Sequence, residues 1–65
     1  MTWREARQRS GLSQEEAAAA AGIDANSISR YERGERQPSL FVACALCRVY
    51  GCRLKDIIGG DNNGL

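Results

Sequence analysis

The apolar positions come in short bursts at helical spacing, separated by glycines and polar runs, and nowhere do they alternate with period two over a useful length. Breaks fall at Gly11, Gly22, Gly34 and Gly51, and the polar stretch from Gly34 to Ser39 holds the single proline, Pro38. This punctuation predicts an all-α fold, a compact bundle of five short helices. The first helix starts at Thr2, with Glu5 three residues on, a spacing that lets the hydroxyl and the carboxylate each take one free amide of the opening turn. It runs to about Ser10. Ser13-Gln14-Glu15-Glu16 repeats that signature before the alanines 17–21, the best helix formers, and Gly22 supplies the left-handed stop. The third helix follows Asp24, a good N-cap, and covers residues 25–33 up to Gly34. The fourth follows Ser39 and runs to about Tyr50, with Leu40, Ala43, Cys44, Cys47 and Tyr50 on an i, i+3, i+4, i+7 stripe that predicts its inward face. A last turn covers residues 54–58. Residues 59–65, Gly-Gly-Asp-Asn-Asn-Gly-Leu, read as a flexible C-terminal tail, leaving 1–58 as the domain.

Size and composition narrow what such a domain can do. A chain of 65 residues hides only about 60% of its unfolded surface, so its core is marginal without a partner, a metal or a disulfide. The length excludes a second domain, a dinucleotide-binding fold and most enzyme pockets. With 43% apolar and 26% charged residues, the mix is that of a soluble folded domain. No apolar run approaches the roughly 18 residues of a membrane helix and no secretory leader pattern opens the chain, so the expectation is a cytoplasmic protein without a membrane partner. The absence of His removes the usual general base and the commonest metal ligand. With no nucleophile–base pair either, the chain reads as a non-enzyme that needs no cofactor. Cys44, Cys47 and Cys52 lack a fourth ligand for zinc and are expected to act as small buried hydrophobes, with redox or metal sensing as the alternative.

The second and third helices are joined by only Gly22-Ile23-Asp24, and two short helices with such a turn form a helix-turn-helix. Ala18 is small where the two must approach. Ile28 and Tyr31, three apart, can pack back under the second helix. That burial turns Asn26, Arg30 and Arg33 to the opposite side, flanked by Ser27 and Ser29. The basic set is eight Arg and one Lys. Arg pairs with guanine O6 and N7, and Asn pairs with adenine, each through two hydrogen bonds. A solvated helix face is polar in any case, so the face alone leaves both readings open. On the second helix of a helix-turn-helix it reads as a DNA-recognition face.

Three runs carry a family resemblance: Arg7-(x)3-Gly11-Leu12-Ser13-Gln14-Glu15-Glu16, then Ala18-(x)3-Gly22-Ile23, then Ile28-Ser29-Arg30-Tyr31-Glu32-Arg33-Gly34-(x)3-Pro38-Ser39-Leu40. Over roughly residues 3 to 58 the chain resembles the phage repressor and Cro-type, or XRE-type, helix-turn-helix family. The resemblance implies a lambda-repressor-like fold whose third helix lies in the major groove of double-stranded DNA. It implies base reading by the positions matching Ala25, Asn26, Ser27 and Arg30, with Ser29 beside them. It also implies a phosphate contact from Gln14, which accords with the positive end of a helix. Arg33 and Arg36 flank the recognition helix and are candidates for phosphates on either side, with simple solvation of Arg36 equally open. Arg7 and Glu32 match a pair that forms an internal salt bridge in the family, tying the first helix to the end of the third. Arg4 and Arg9 remain undecided between DNA and water. The chain departs from the family at Ala17 and Ala21, where larger aliphatics are usual; Trp3, Phe41 and Tyr50 are expected to refill that volume. It departs again at Arg53, where a Ser or Thr cap is usual, so the last turn is expected to be weakly held.

The function implied is a sequence-specific transcriptional regulator, a repressor, cytoplasmic and of bacterial or phage origin, acting on a partly palindromic operator as a homodimer. One module reads too few base pairs alone. Phe41, Val42, Val49 and Ile58 are the candidate dimer residues. The alternative is an antitoxin or antirepressor-type interaction module with a protein partner such as a toxin, for which the Asn26, Arg30, Arg33 face is not needed. The formal net charge is only +1. With Glu5 and Glu16 in caps and Glu32 on Arg7, that near-neutrality predicts few phosphate contacts, weak non-specific binding and a shallow salt dependence.

Overall fold

In a computed structural model, which describes residues 1–58, the chain forms five helices and no strand among the described residues. They are α1 (Trp3–Ser10), α2 (Gln14–Ala21), α3 (Ala25–Glu32), α4 (Leu40–Tyr50) and α5 (Leu54–Ile58). The tail expected at residues 59–65, and the Ile58 side chain, lie outside the described part.

Local chemistry accounts for each start. Thr2 Oγ1 accepts from the Glu5 amide at 3.1 Å while Glu5 Oε1 accepts from the Thr2 amide at 2.8 Å. Ser13 and Glu16 repeat the exchange at 3.0 and 2.9 Å. Ser39 Oγ accepts from the Val42 amide at 3.2 Å to open α4. Asp24 occupies the N-cap of α3 in an extended conformation, but its side chain accepts no capping hydrogen bond, contrary to the expectation of a good cap. The Asp24 carbonyl accepts the first bonds of α3, from the Ser27 amide at 3.0 Å and the Ile28 amide at 3.4 Å. Arg53 has no hydroxyl to offer α5, yet the expected weakness is offset from the other side. Asp56 Oδ2 accepts from the Arg53 amide at 3.0 Å, which holds the Asp56 carboxyl below its usual range. The Met1 amino group donates to the Asp56 carbonyl at 3.1 Å, tying α5 to the start of the chain.

The turn between α2 and α3 needs its glycine. Gly22 has φ +74°, and the Ile23 amide closes on the Ala18 carbonyl at 2.9 Å. A Cβ there meets nothing within 4 Å, so backbone conformation alone, not space, demands glycine.

Ala6, Ala17, Ala18, Ile28, Leu46 and Tyr50 make the core, with Ala43 and Cys47 also buried and no buried polar or charged residue among those described. The alanines of α2 work as spacers: Ala17 is fully buried and Ala18 nearly so, and α2 makes its largest contact with α3. Ile28 and Leu46 are the bulky side chains they admit, each contributing about 1.5–3 kcal/mol by burial. Trp3 tilts against Tyr50 with ring centroids 6.5 Å apart. Tyr50 belongs to the core cluster and Trp3 packs against it. Phe41 does not, being 83% exposed.

The inward stripe of α4 differs from the expected one. Ala43, Leu46, Cys47 and Tyr50 are buried, while Leu40 is 69% exposed and Cys44 is exposed. The same i, i+3, i+4, i+7 spacing starting three residues later defines the buried face; an almost wholly apolar helix satisfies the rule in more than one rotation. The expectation of three core cysteines therefore holds for Cys47 and partly for Cys52, and fails for Cys44. Burial, with a hydrogen bond to Cys52, pushes the Cys47 thiol up to about 12.

Candidate nucleic-acid interface

Ile28 anchors α3 by its inner side, and Tyr31 and Ala25 pack partly against the same core. The opposite side is set by helical geometry. Asn26, Arg30 and Arg33 are exposed, with Ser27 and Ser29 half-buried at its margins. Ala25 leans on the core and offers at most a methyl edge to a base. Because the side chain of Asp24 leaves the start of α3 uncapped, the positive end of the helix lies open beside Asn26.

Two arginine–glutamate pairs bracket the end of this helix. On the inner side, Arg7 Nε donates to Glu32 Oε2 at 2.6 Å and Nη2 to Oε1 at 3.1 Å, with side chains only 13% and 5% exposed. Arg7 Nη1 also donates to the Leu12 carbonyl at 3.0 Å. The pair thus ties α1, the α1–α2 turn and α3 together. Burial pushes the Glu32 carboxyl up, but the hydrogen bonds from Arg7 and Gln14 outweigh it and leave it below the usual range. The same hydrogen bond to Glu32 raises Arg7. Burial lifts the nearby Tyr50 hydroxyl to about 12, helped by the Glu32 charge.

Gln14 belongs to this network. Its Nε2 donates to Glu32 Oε1 at 3.1 Å, so the amide side chain is oriented by a carboxylate as it stands at the start of α2. The amides of Gln14 and Glu15 lie at that helix start ahead of the Glu16 amide, which Ser13 takes.

On the outer side the arrangement departs from a free cation. Arg33 Nε and Nη2 donate to the two carboxylate oxygens of Glu35 at 2.9 and 3.1 Å, and Nη1 donates to Ser29 Oγ. Both partners are about half exposed, at 55% and 54%. Glu35 is placed there by the helix ending. Gly34 has φ +74°, its amide returns to the Tyr31 carbonyl at 3.2 Å, and the Glu35 amide returns to the Arg30 carbonyl at 2.9 Å. Arg30, Arg33 and Arg36 therefore do not face outward as three free cations. Arg30 and Arg36 are exposed without an ion-pair partner among the described residues, and Arg33 is paired. Arg4 and Arg9 are exposed; Arg9 Nη1 lies 4.0 Å from the Met1 sulfur.

Leu40 and Phe41, with exposed Cys44 one turn on, form an apolar face at the start of α4, away from the core. Of the residues expected there, Phe41 is exposed, while Val42 and Val49 are partly buried against the core; Leu40 and Cys44, expected on the inner stripe, are exposed. No described helix is long and apolar enough to cross a membrane.

Two closely packed helices, a three-residue turn opened by glycine, and a second helix with a polar outer face define a helix-turn-helix DNA-binding domain. The pattern of the helix-turn-helix family matches residues 4–57. The chain belongs to that family, in its Cro and phage-repressor type, a family of DNA-binding transcriptional regulators. It is 36% identical over 62 residues to an uncharacterised HTH-type transcriptional regulator of Archaeoglobus fulgidus, covering 95% of this chain and 89% of that one. It is 30% identical over 54 residues to the uncharacterised HTH-type transcriptional regulator YgzD of Bacillus subtilis, covering 83% and 82%. The HTH-type transcriptional regulator ImmR of Bacillus subtilis is 36% identical over 58 residues, 89% of this chain but only 46% of ImmR. No solved structure matches.

Proposed function

We propose that the protein is a sequence-specific transcriptional repressor that reads the major groove with α3 and binds a partly palindromic operator as a homodimer. The observation that carries this reading is the outer face of α3: Asn26 and Arg30 are exposed side by side on a helix whose other side is locked by Ile28. Asn26 suits adenine and Arg30 suits guanine, with Ser27 and Ser29 as adaptable neighbours and Ala25 limited to a thymine methyl. Gln14 and the open amides of α2 contribute a phosphate contact, Arg36 a second, and Arg33 a third when it leaves Glu35. Arg7 and Glu32 act from inside, holding α1 against the end of α3.

Dimerisation uses the outer face of α4. Leu40 and Phe41 are large apolar side chains left in water, and Leu40 borders a groove of mixed character in which Trp3, Tyr31, Ala43 and Ile57 stand beside Arg33, Arg36 and Gln37. Two copies related by a two-fold axis read half-sites about one helical turn apart. Sedimentation of Phe41→Ser should return a monomer where the parent protein is a dimer; a parent protein that is monomeric with and without DNA refutes this part.

Selection of bound duplexes from a random pool tests the reading as a whole. The expected product is a short inverted repeat whose adenine and guanine preferences disappear selectively in Asn26→Ala and Arg30→Ala. A pool that the parent protein leaves unenriched contradicts it.

A further inference from the structure

Glu35 is unexplained by DNA reading, since a carboxylate beside the recognition helix repels phosphate. We infer that Glu35 is a built-in competitor for DNA: it masks Arg33 and, through Arg33, Ser29, and so suppresses binding to sequences that Arg30 and Asn26 do not recognise. The inference rests on the DNA-reading function proposed above.

Four observations carry it. Both carboxylate oxygens take the Nε/Nη2 edge of the Arg33 guanidinium, at 2.9 and 3.1 Å, the edge that would otherwise fork onto a phosphate. The remaining side of the guanidinium is turned inward to Ser29 Oγ, which withdraws a neighbouring hydroxyl of the reading face as well. Glu35 is held in place by backbone, through the Gly34 turn and the bond from its amide to the Arg30 carbonyl at 2.9 Å. Its carboxyl lies below the usual range because of the Arg33 hydrogen bonds, with further help from the charges of Arg33 and Arg30. The carboxylate therefore covers Arg33, within electrostatic reach of Arg30, and neutralises the end where a phosphate would dock.

The environment decides that this is a mask and not a strut. The pair is about half exposed, and an exposed pair contributes little to stability, so a well-placed phosphate can displace the carboxylate. A duplex whose bases satisfy Asn26 and Arg30 supplies the free energy to do so. A random duplex offers only its backbone and must compete for Arg33 against a tethered anion. Discrimination then arises from an added repulsion as well as from attraction.

The test measures binding of the parent protein, Glu35→Gln, Arg33→Ala and the double variant to a random-sequence 20-base-pair duplex by fluorescence anisotropy over a range of salt. Glu35→Gln is expected to bind this duplex about two- to fivefold more tightly at low salt, with a log–log salt slope steeper by about one unit. Adding Glu35→Gln to Arg33→Ala is expected to give a clearly smaller gain, only the part due to removing one negative charge beside the duplex. Equal gains with and without Arg33 overturn the inference, because the effect is then one of overall charge, and so does the absence of any gain. A second measurement needs no DNA: the Arg33 Nε–H resonance should move in Glu35→Gln and on acid titration of the parent protein. A resonance that ignores both overturns the mask while leaving DNA reading intact. If no variant binds any duplex, the DNA-reading proposal and the mask fall together.

Discussion

The two arginine–glutamate pairs at the end of α3 have nearly the same geometry and opposite consequences. Arg7–Glu32 and Arg33–Glu35 are both two-pronged, with shortest contacts of 2.6 and 2.9 Å. The first is enclosed by α1, α3 and the start of α2, and its charges have little water to return to. The second stands about half in water and can exchange its partner for solvent or for phosphate. Burial, not contact distance, separates a fastener from a latch. Breaking the enclosed pair strands a charge; breaking the open one frees it.

The largest expected difference lies in stability. Glu32→Ala should cost about 3 kcal/mol in chemical denaturation, because Arg7 is left desolvated and unpaired. For a domain this small that is a large share of the total. Glu35→Ala should leave the denaturation midpoint unchanged. Equal losses in the two variants break the comparison.

Acid sharpens it. The folded Glu32 carboxyl lies below its ordinary value, so the stability it contributes is present above the unfolded value, about 4.3, and is lost as pH falls through the folded one. Tyr50 works at the other end. Its folded value is raised to about 12, so its contribution is present below the unfolded value, near 10, and is lost as pH rises through about 12. Thermal denaturation across pH should show an acid limb that flattens in Glu32→Gln and persists in Glu35→Gln.

Gly34 separates the two glutamates in the chain. Gly34→Ala should cost about 1 kcal/mol through its positive φ, and it should shift the Arg33 Nε–H resonance while leaving that of Arg7 in place. A shift confined to Arg7 would place the turn's influence on the wrong pair.

The smallest effect concerns the thiols of α4, where burial sorts reactivity as it sorts the ion pairs. Native-state titration should find Cys44 modified first and Cys47 last. Fast modification of Cys47 would contradict the orientation assigned to α4.

Much of this was legible in the sequence because the relevant forces are local. Caps at Thr2 and Ser13 and the stop at Gly22 involve residues within a few positions of each other, and the helix boundaries follow from them. The outer face of α3 followed from placing Ile28 inside. The rotation of α4 was not legible. Leu40, Phe41, Cys44 and Leu46 are all apolar, so spacing alone fits several rotations, and only tertiary packing selects the face with Ala43 and Leu46. Nor was the Asp24 cap, whose residue type is right but whose side chain accepts no bond from α3. The Glu35 pairing needed the Gly34 turn in three dimensions, since helical spacing does not bring residues two apart together.

The most direct test of the account is a titration of isotope-labelled protein with a duplex carrying the selected site, followed residue by residue. The side-chain amide of Asn26 and the Nε–H of Arg30 should shift most, Arg33 should shift as it leaves Glu35, and Arg7 should stay where it is. Shifts confined to Leu40, Phe41 and Cys44, with α3 silent, would contradict it.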